Sequence, residues 1–273
     1  VRLLFVGDIV GKPGRRILTQ ALAGLRIEEQ LDMVVANAEN AASGSGLTPA
    51  NYRELIDAGV ECITMGDHAY RRREIFKILH SEARIVKPAN YPPQSPGKPY
   101  TVITTRGNVR VAVFCLLGRV FMSPVDCPFA AADRVLSELP SDVRVILVDF
   151  HAEATSDMQV MSRHLDGRVT AVLGTHTHVP TADEHIMPGG TAFQCDVGMT
   201  GPMESIIGRR VDRVIETVRT FRPTHFEVAT EDPRIQGSIV DFDPSTGRAT
   251  AIRRIEVDQA KADQLAKLAR DGS

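Results

Sequence analysis

The feature that most restricts this chain is a repeated pairing of a short apolar run with a polar stop. Leu3-Leu4-Phe5-Val6 halts at Gly7-Asp8, Met33-Val34-Val35-Ala36 at Asn37-Ala38-Glu39-Asn40, and Cys62-Ile63-Thr64-Met65 at Gly66-Asp67-His68. Val145-Ile146-Leu147-Val148 halts at Asp149-Phe150-His151, and Ala171-Val172-Leu173 at Gly174-Thr175-His176-Thr177-His178. Short runs that are apolar throughout read as strands buried on both faces. Segments of helical spacing lie between them, such as Ile17, Leu18, Ala21, Leu22 and Leu25. Alternating strands and helices build an α/β fold with a mostly parallel sheet covered by helices. Such sheets bind ligands beyond the carboxyl ends of their strands, where the polar stops lie.

The connecting segments fit that frame. Gly11, Pro13 and Gly14 read as a turn before the first helix, and Thr48 and Pro49 as the cap and first residue of a helix reaching Ala58. Further helices are expected over about 72–79, 130–139, 159–165 and 211–221, the last with Ile215 and Val218 on an apolar side. Residues 100–105 and 109–117 form a hairpin around Arg106-Gly107-Asn108, and 238–243 and 248–257 form another around Pro244-Ser245-Thr246-Gly247. A short strand covers 192–195, and an alanine- and lysine-rich helix closes the chain. With no internal repeat or linker, residues 1–273 read as a single domain.

Composition removes several function classes. Hydrophobic residues make up 43% of 273 positions, enough for a sizeable core. The net charge of -2 carries no basic surplus of the nucleic-acid-binding kind. Arg71-Arg72-Arg73 reads as a solvated helix face. Cys62, Cys115, Cys127 and Cys195 form no C-x-x-C pair, which suits a reducing compartment. The start at Val1 lacks a signal-peptide pattern, and no apolar run approaches the ~20 residues of a membrane span. The expectation is a cytoplasmic protein without membrane or nucleic-acid partners.

The polar stops supply candidate metal ligands: Asp8, Glu39 with Asn40, Asp67 with His68, His151, and His176 with His178. If extended geometry persists past Gly174, His176 and His178 point to the same side. Each residue alone has a plainer reading, because aspartates after strands cap helices or turns and single histidines are ordinary core or surface residues. Recurrence of one context carries the weight. Mixed carboxylate, amide and imidazole donors suit Mn, Fe or Zn. A single catalytic zinc takes about three protein ligands plus water, fewer than this chain offers. Two metals roughly 3.5–4 Å apart are a known arrangement for phosphate-ester hydrolysis.

Gly7-Asp8, Gly66-Asp67-His68, His151 and Gly174-Thr175-His176-Thr177-His178 resemble the calcineurin-like metallophosphoesterase superfamily. Gly7-Asp8-Ile9-Val10-Gly11, Asn37-Ala38-Glu39-Asn40, Asp149-Phe150-His151-Ala152-Glu153-Ala154-Thr155-Ser156 and Asp196-Val197-Gly198-Met199-Thr200-Gly201-Pro202 narrow it. Over residues 3–208 the chain is similar to the YmdB-like bacterial metallophosphoesterases. The resemblance implies a four-layer αββα sandwich of two mixed β-sheets flanked by helices. It implies two metal ions, Fe or Mn before Zn. Asp8, Glu39, Asn40 and His178 would hold one; Glu39, Asp67, His151 and His176 would hold the other, with Glu39 bridging. It also implies attack by a metal-bridging hydroxide on 2′,3′- or 3′,5′-cyclic nucleotides, with His68 as proton donor to the leaving alkoxide.

Two departures stand out. Asp67 occupies a position where the family pattern has asparagine; its charge is expected to tighten metal binding and lower the electrophilicity of the second metal. The superfamily's Asp-x-His after the first strand is absent, since Ile9-Val10 follow Asp8, and Asn40 helps fill that shell.

Rival readings are a dinucleotide-binding loop at Gly7, Gly11 and Gly14, whose spacing is not G-x-G-x-x-G, and a metal-bound scaffold of little turnover. A cysteine hydrolase built on Cys195 competes with its reading as buried core. Glu153 reads as a partner orienting an imidazole or as a cap. Segments 87–99, 118–129 and 196–202 are expected to shape the pocket. Substrate-binding residues, base preference and homo-oligomerisation stay open at this level.

Overall fold

The computed structural model describes residues 1–271; the last two residues of the expected 1–273 domain lie outside them. The chain first lays down β1 (Arg2–Val6), β2 (Asp8–Ile9), β3 (Met33–Asn37), β4 (Cys62–Thr64) and β5 (Ile85–Val86). It then builds a second sheet from β6 (Tyr100–Thr104), β7 (Arg110–Leu117), β8 (Val145–His151), β9 (Ala171–Thr175), β10 (His185–Ile186) and β11 (Ala192–Gln194). It returns to the first sheet with β12 (Met199–Pro202), β13 (Pro233–Phe242) and β14 (Ala249–Val257). The helices are α1 (Gly11–Glu29), α2 (Pro49–Asp57), α3 (Phe76–Leu79), α4 (Pro128–Glu138), α5 (Thr155–Leu165), α6 (Val211–Thr220) and α7 (Gln259–Asp271).

Both sheets are mixed. β1, β3, β4 and β5 run parallel, and β13 joins β1 antiparallel. In the second sheet β7, β8, β9 and β11 run parallel, with β6 and β10 antiparallel at the edges.

Side-chain alternation along the strands explains the layering. Leu4, Val6, Val34, Ala36 and Ile63 face α1, α2 and α7, meeting Leu18, Leu22, Leu55 and Leu265. Leu3, Phe5, Met33, Val35 and Cys62 face the other way, into Val111, Val113, Val145, Leu147, Ala171 and Leu173 of the second sheet. The far face of that sheet, with Phe114, Ile146, Val148 and Val172, packs on Val135, Met158, Met161 and Leu165 of α4 and α5. The result is helix, sheet, sheet, helix, the expected sandwich. Leu4 is fully buried, so Leu4→Ala would cost about 2–5 kcal/mol.

Several boundaries differ from expectation. α1 begins at Gly11 rather than after a 11–14 turn, because Pro13 is tolerated in a first turn. Gly14 sits inside that helix because any Cβ there would strike the Thr200 carbonyl. At 72–79 a 3₁₀ turn precedes the four-residue α3. The cap at Thr48 holds: its hydroxyl accepts from Asn51 N–H at 3.2 Å. The apolar side expected on 211–221 is real but faces outward, since Ile215 and Val218 of α6 are exposed.

Candidate metal centre

Parallel register brings the carboxyl ends of the central strands level. Val6 pairs with Ala36, Asn37 with Thr64, and His151 with both Leu117 and Thr175. The two sheets meet at this end, and Asp8, Glu39, Asn40, Asp67, His68, His151, His176 and His178 converge there. His151 Nε2 lies 3.2 Å from Asp67 Oδ1 and 3.5 Å from Glu39 Oε1. His176 Nδ1 lies 3.1 Å from His151 Nε2 and 3.8 Å from Asp67 Oδ1. On the other flank, His178 Nε2 lies 3.2 Å from Asn40 Nδ2 and 3.9 Å from Asp8 Oδ1. Ligand atoms of Asp8, Glu39 and His151 all lie within 4.8 Å of one another, as do those of Asp67, His151 and His176.

The hydrogen bonds behind the imidazoles decide which nitrogen faces inward. Thr175 Oγ1–H donates to Asp149 Oδ1 at 2.6 Å, so its oxygen accepts from His151 Nδ1–H at 2.8 Å. His151 Nε2 is thereby turned toward Glu39 and Asp67. His178 Nδ1–H donates to the Ile207 carbonyl at 2.9 Å, turning its Nε2 toward Asp8 and Asn40. His176 sets Nε2 3.1 Å from Glu153 Oε2 and Nδ1 toward His151. Anchoring one ring nitrogen and aiming the other is how proteins orient metal-binding histidines. Glu153 thus orients an imidazole, that of His176 rather than its sequence neighbour His151.

The electrostatics call for cations. Asp8 Oδ2 accepts His176 N–H at 3.0 Å, but its Oδ1 is buried with no partner, a costly state for a carboxylate oxygen. Burial works against ionisation of Glu39 and Asp67, yet the neighbouring histidines hold both below the usual carboxylate range. Burial would lower the His151 pKa; Glu39, Asp67 and Asp8 outweigh it and push it up to about 10. Gly66 leaves room for the cluster, because a Cβ there would land on Glu39 Oε2 and His151 Nε2. An orphaned carboxylate oxygen, inward imidazoles and a hard, mixed donor set fit divalent metal ions.

His68 overlooks the cluster from its rim. Its Nδ1 lies 2.7 Å from Asn40 Oδ1 and 3.2 Å from Glu39 Oε1, and its backbone N–H donates to Glu39 Oε2 at 2.9 Å. Burial lowers its pKa, but Glu39 outweighs that and raises it. Asn40 turns Nδ2, not Oδ1, toward His178 and Glu39. Ligation through Oδ1 therefore requires a half-turn of the amide, after which Nδ2–H faces His68 Nδ1.

Extended geometry does not persist through the histidine pair. β9 ends at Thr175, and His176 and His178 have φ of +111° and +66°. Buried carboxylates pull the backbone into this region: Asp196 Oδ2 accepts both Thr177 N–H and Thr177 Oγ1–H at 2.8 Å, while Asp8 takes His176 N–H. The rings consequently join opposite flanks of the cluster.

A cavity of about 370 Å³ opens over the cluster, walled also by Gly44, Glu153, Thr177, Ile207 and Arg209. The expected segments 87–99, 118–129 and 196–202 do not line it. Tyr91 reaches only the Asp67 carbonyl, at 3.5 Å, and Asp196 acts from beneath. Sequence reasoning missed Thr175, Asn37 and Thr64, which bond to Asp149, and the wall residues Gly44 and Arg209. Cys195 is buried within the apolar cluster beneath α5, and burial, then Asp183 and Asp196, pushes its thiol up to about 12, in keeping with the reading of it as core.

Residues 4–255 match the family model described as YmdB-like protein. A 2′,3′-cyclic-nucleotide 2′-phosphodiesterase of Bacillus subtilis is 42% identical over 255 residues, 93% of this chain and 96% of that protein. The crystal structure of a novel phosphatase from Mycoplasma pneumoniae superposes with a TM-score of 0.88 at 32% identity, covering 94% of this chain and 93% of that one. The calcineurin-like phosphoesterase YfkN of Bacillus subtilis shares the fold alone, with a TM-score of 0.57 at 10% identity over 100% of this chain and 97% of its own. No helix among the described residues is long and apolar enough to cross a membrane. On family, fold and relatives together, this chain belongs to the YmdB-like family and is a hydrolytic enzyme, a phosphoesterase of the calcineurin-like fold.

Proposed function

We propose that the chain hydrolyses 2′,3′-cyclic nucleotides at a binuclear metal site, as a single catalytic domain in the cytoplasm. The observation that carries the reading is the gathering of the eight expected site residues into one linked cluster in which buried Asp8 Oδ1 is left without a partner. The 42% identical relative named for 2′,3′-cyclic nucleotides supports that substrate over the 3′,5′ isomers. Asp8, Glu39, Asn40 and His178 would hold one ion and Glu39, Asp67, His151 and His176 the other, with Fe or Mn ahead of Zn. When bound, such ions supply a water acidic enough to attack at neutral pH and neutralise charge on the phosphoryl oxygens.

The chain's own groups do the rest. Thr175, Glu153 and the Ile207 carbonyl hold the imidazoles in place, so little reorganisation accompanies binding. His68 stands at the cavity wall with Nδ1 tied to Asn40 and Glu39. Its Nε2–H protonates the leaving oxygen, a role that suits an imidazole near neutral pH.

His68→Ala should cut kcat on 2′,3′-cyclic AMP by roughly 10²–10⁴-fold, with metal content by elemental analysis intact. Loss of both metals would make His68 a ligand instead of an acid. Turnover of 3′,5′-cyclic AMP at a higher kcat/KM than the 2′,3′ isomer would overturn the substrate.

A further inference from the structure

One cation in the cavity wall is not accounted for by the metal cluster. Arg209 lies on the His178 flank and forms no ion pair among the described residues. Its Nη1 donates to the Ser43 carbonyl at 3.3 Å and the Phe226 carbonyl at 2.9 Å, and its Nη2 donates to the Gly44 carbonyl. Nε–H has no acceptor among the described residues. A guanidinium is always charged and carries five N–H donors; the three carbonyls take part of that capacity, and the remaining donors with an unneutralised charge suit an anion.

The backbone is arranged around this side chain. Ile206 and Arg209 pair with each other through both backbone bonds, at 2.8 and 2.9 Å, closing a turn over Ile207 and Gly208. Both turn residues have positive φ, +46° and +94°. A β-branched residue there is strained, and strain of this kind collects at functional sites. The Ile207 carbonyl anchors His178, so one rigid turn fixes a candidate metal ligand and the guanidinium together. Opposite, Gly44 has φ +81°, and a Cβ on it would meet Arg209 Nη1. Glycine there keeps the guanidinium against the wall.

We propose that Arg209 binds the phosphoryl oxygens of the substrate and of its phosphomonoester product. This takes the phosphoester reading as given and adds the residue that recognises the anion. Glu39 and Glu153 are the acidic side chains of the wall, and Arg209 is its one permanent cation among the described residues. An entering phosphate ester therefore finds there the one wall donor whose charge does not depend on pH, with the titratable His68 as a further donor of the wall.

The test titrates inorganic phosphate into metal-loaded wild type, Arg209→Met and Arg209→Lys by calorimetry, with elemental analysis of each. Arg209→Met should weaken phosphate roughly ten- to hundredfold, the weight of a hydrogen bond to a charged group. Its KM should rise far more than its kcat falls. Arg209→Lys should recover part of the loss, because it keeps the charge but not the planar fork. Unchanged phosphate affinity in Arg209→Met would overturn the proposal. So would loss of bound metal in both variants, which would make Arg209 an anchor of the 41–46 loop. A wild type inactive on every cyclic nucleotide would sink the phosphodiesterase reading, while the phosphate titration would still decide the role of Arg209.

Discussion

Replacing Thr175 by valine keeps the shape of a fully buried β9 residue and deletes one hydroxyl. That hydroxyl is the link between Asp149 Oδ1 and His151 Nδ1, at 2.6 and 2.8 Å. Both stranded groups are buried, so water cannot replace the lost partner. Each stranded group costs about 1–3 kcal/mol, and the new methyl returns about 0.8 kcal/mol. For the two groups together the net loss lies between about 1 and 5 kcal/mol, with a midpoint near 3. A chain of this size melts about 2–4 °C lower for each kcal/mol, so the melting temperature should fall by roughly 6–12 °C. The ring of His151 is also freed, and removing such an outer partner typically weakens metal binding about 10–100-fold.

Thr175→Ser is the control, since it keeps the hydroxyl and gives up only a methyl worth about 0.8 kcal/mol. Thermal melts with and without chelator, and metal counted after dialysis, separate the two variants. If valine and serine melt alike and retain the same metal, the hydroxyl is not the link and the tautomer assigned to His151 is wrong.

Gly66→Ala should lose metal and about 1–3 kcal/mol of stability, the usual cost of overpacking, because its methyl must displace Glu39 or His151. Gly107→Ala meets Thr105 Oγ1 only at 3.8 Å and should melt as wild type; equal behaviour of the two alanines would refute the steric argument. Chelation should lower the melting temperature, since ions present at a hundred times their Kd contribute about 2.7 kcal/mol each; an unchanged melt would mean the cluster binds none. Metal-free protein should lose stability as pH rises from about 5 to 8. Burial, then Asp8, pushes Asp196 up to about 8, so the folded form keeps a proton that the unfolded chain, titrating near ~3.9, has shed. Asp149 and His151, also raised, slope the same way, so Asp196→Asn should reduce that slope in chemical denaturation without abolishing it, and an equal slope in the variant would discount Asp196.

The fold was legible because burial on both faces writes itself into a sequence. Leu3-Leu4-Phe5-Val6 is continuous because alternate side chains enter different apolar layers, and both need them. The candidate ligands were legible because each follows such a run. The histidine pair follows its strand as expected, but extended backbone does not continue through it: Asp8 and Asp196 take the His176 and Thr177 N–H groups, and Asp196 lies 19 residues on from Thr177. Periodicity sees only local neighbours. The wall was illegible for the same reason: Gly44 and Arg209 meet across 165 residues, and neither belongs to a strand end. On α6 the helical apolar pattern marks a face but not what covers it, and Ile215 and Val218 lie on the surface.

Asp149 joins these observations into one physical picture. Its Oδ2 accepts from Asn37 Nδ2 at 3.0 Å and from Thr64 on the first sheet, and its Oδ1 from Thr175 on the second. One carboxylate therefore ties β3 and β4 to β8 and β9 at the end where the ligands sit. Burial alone would discourage its ionisation and pushes its pKa up to about 6, so its charge is tolerated because those donors converge on it. Each donor belongs to a strand that also carries or adjoins a candidate ligand. A sheet that slipped by one residue would turn these side chains to the opposite face and strand the carboxylate. The register that aligns the strands is thus the same register that assembles the metal centre. Variants of Asp149 should accordingly fail in sheet packing and metal retention together, where variants of Arg209 touch neither.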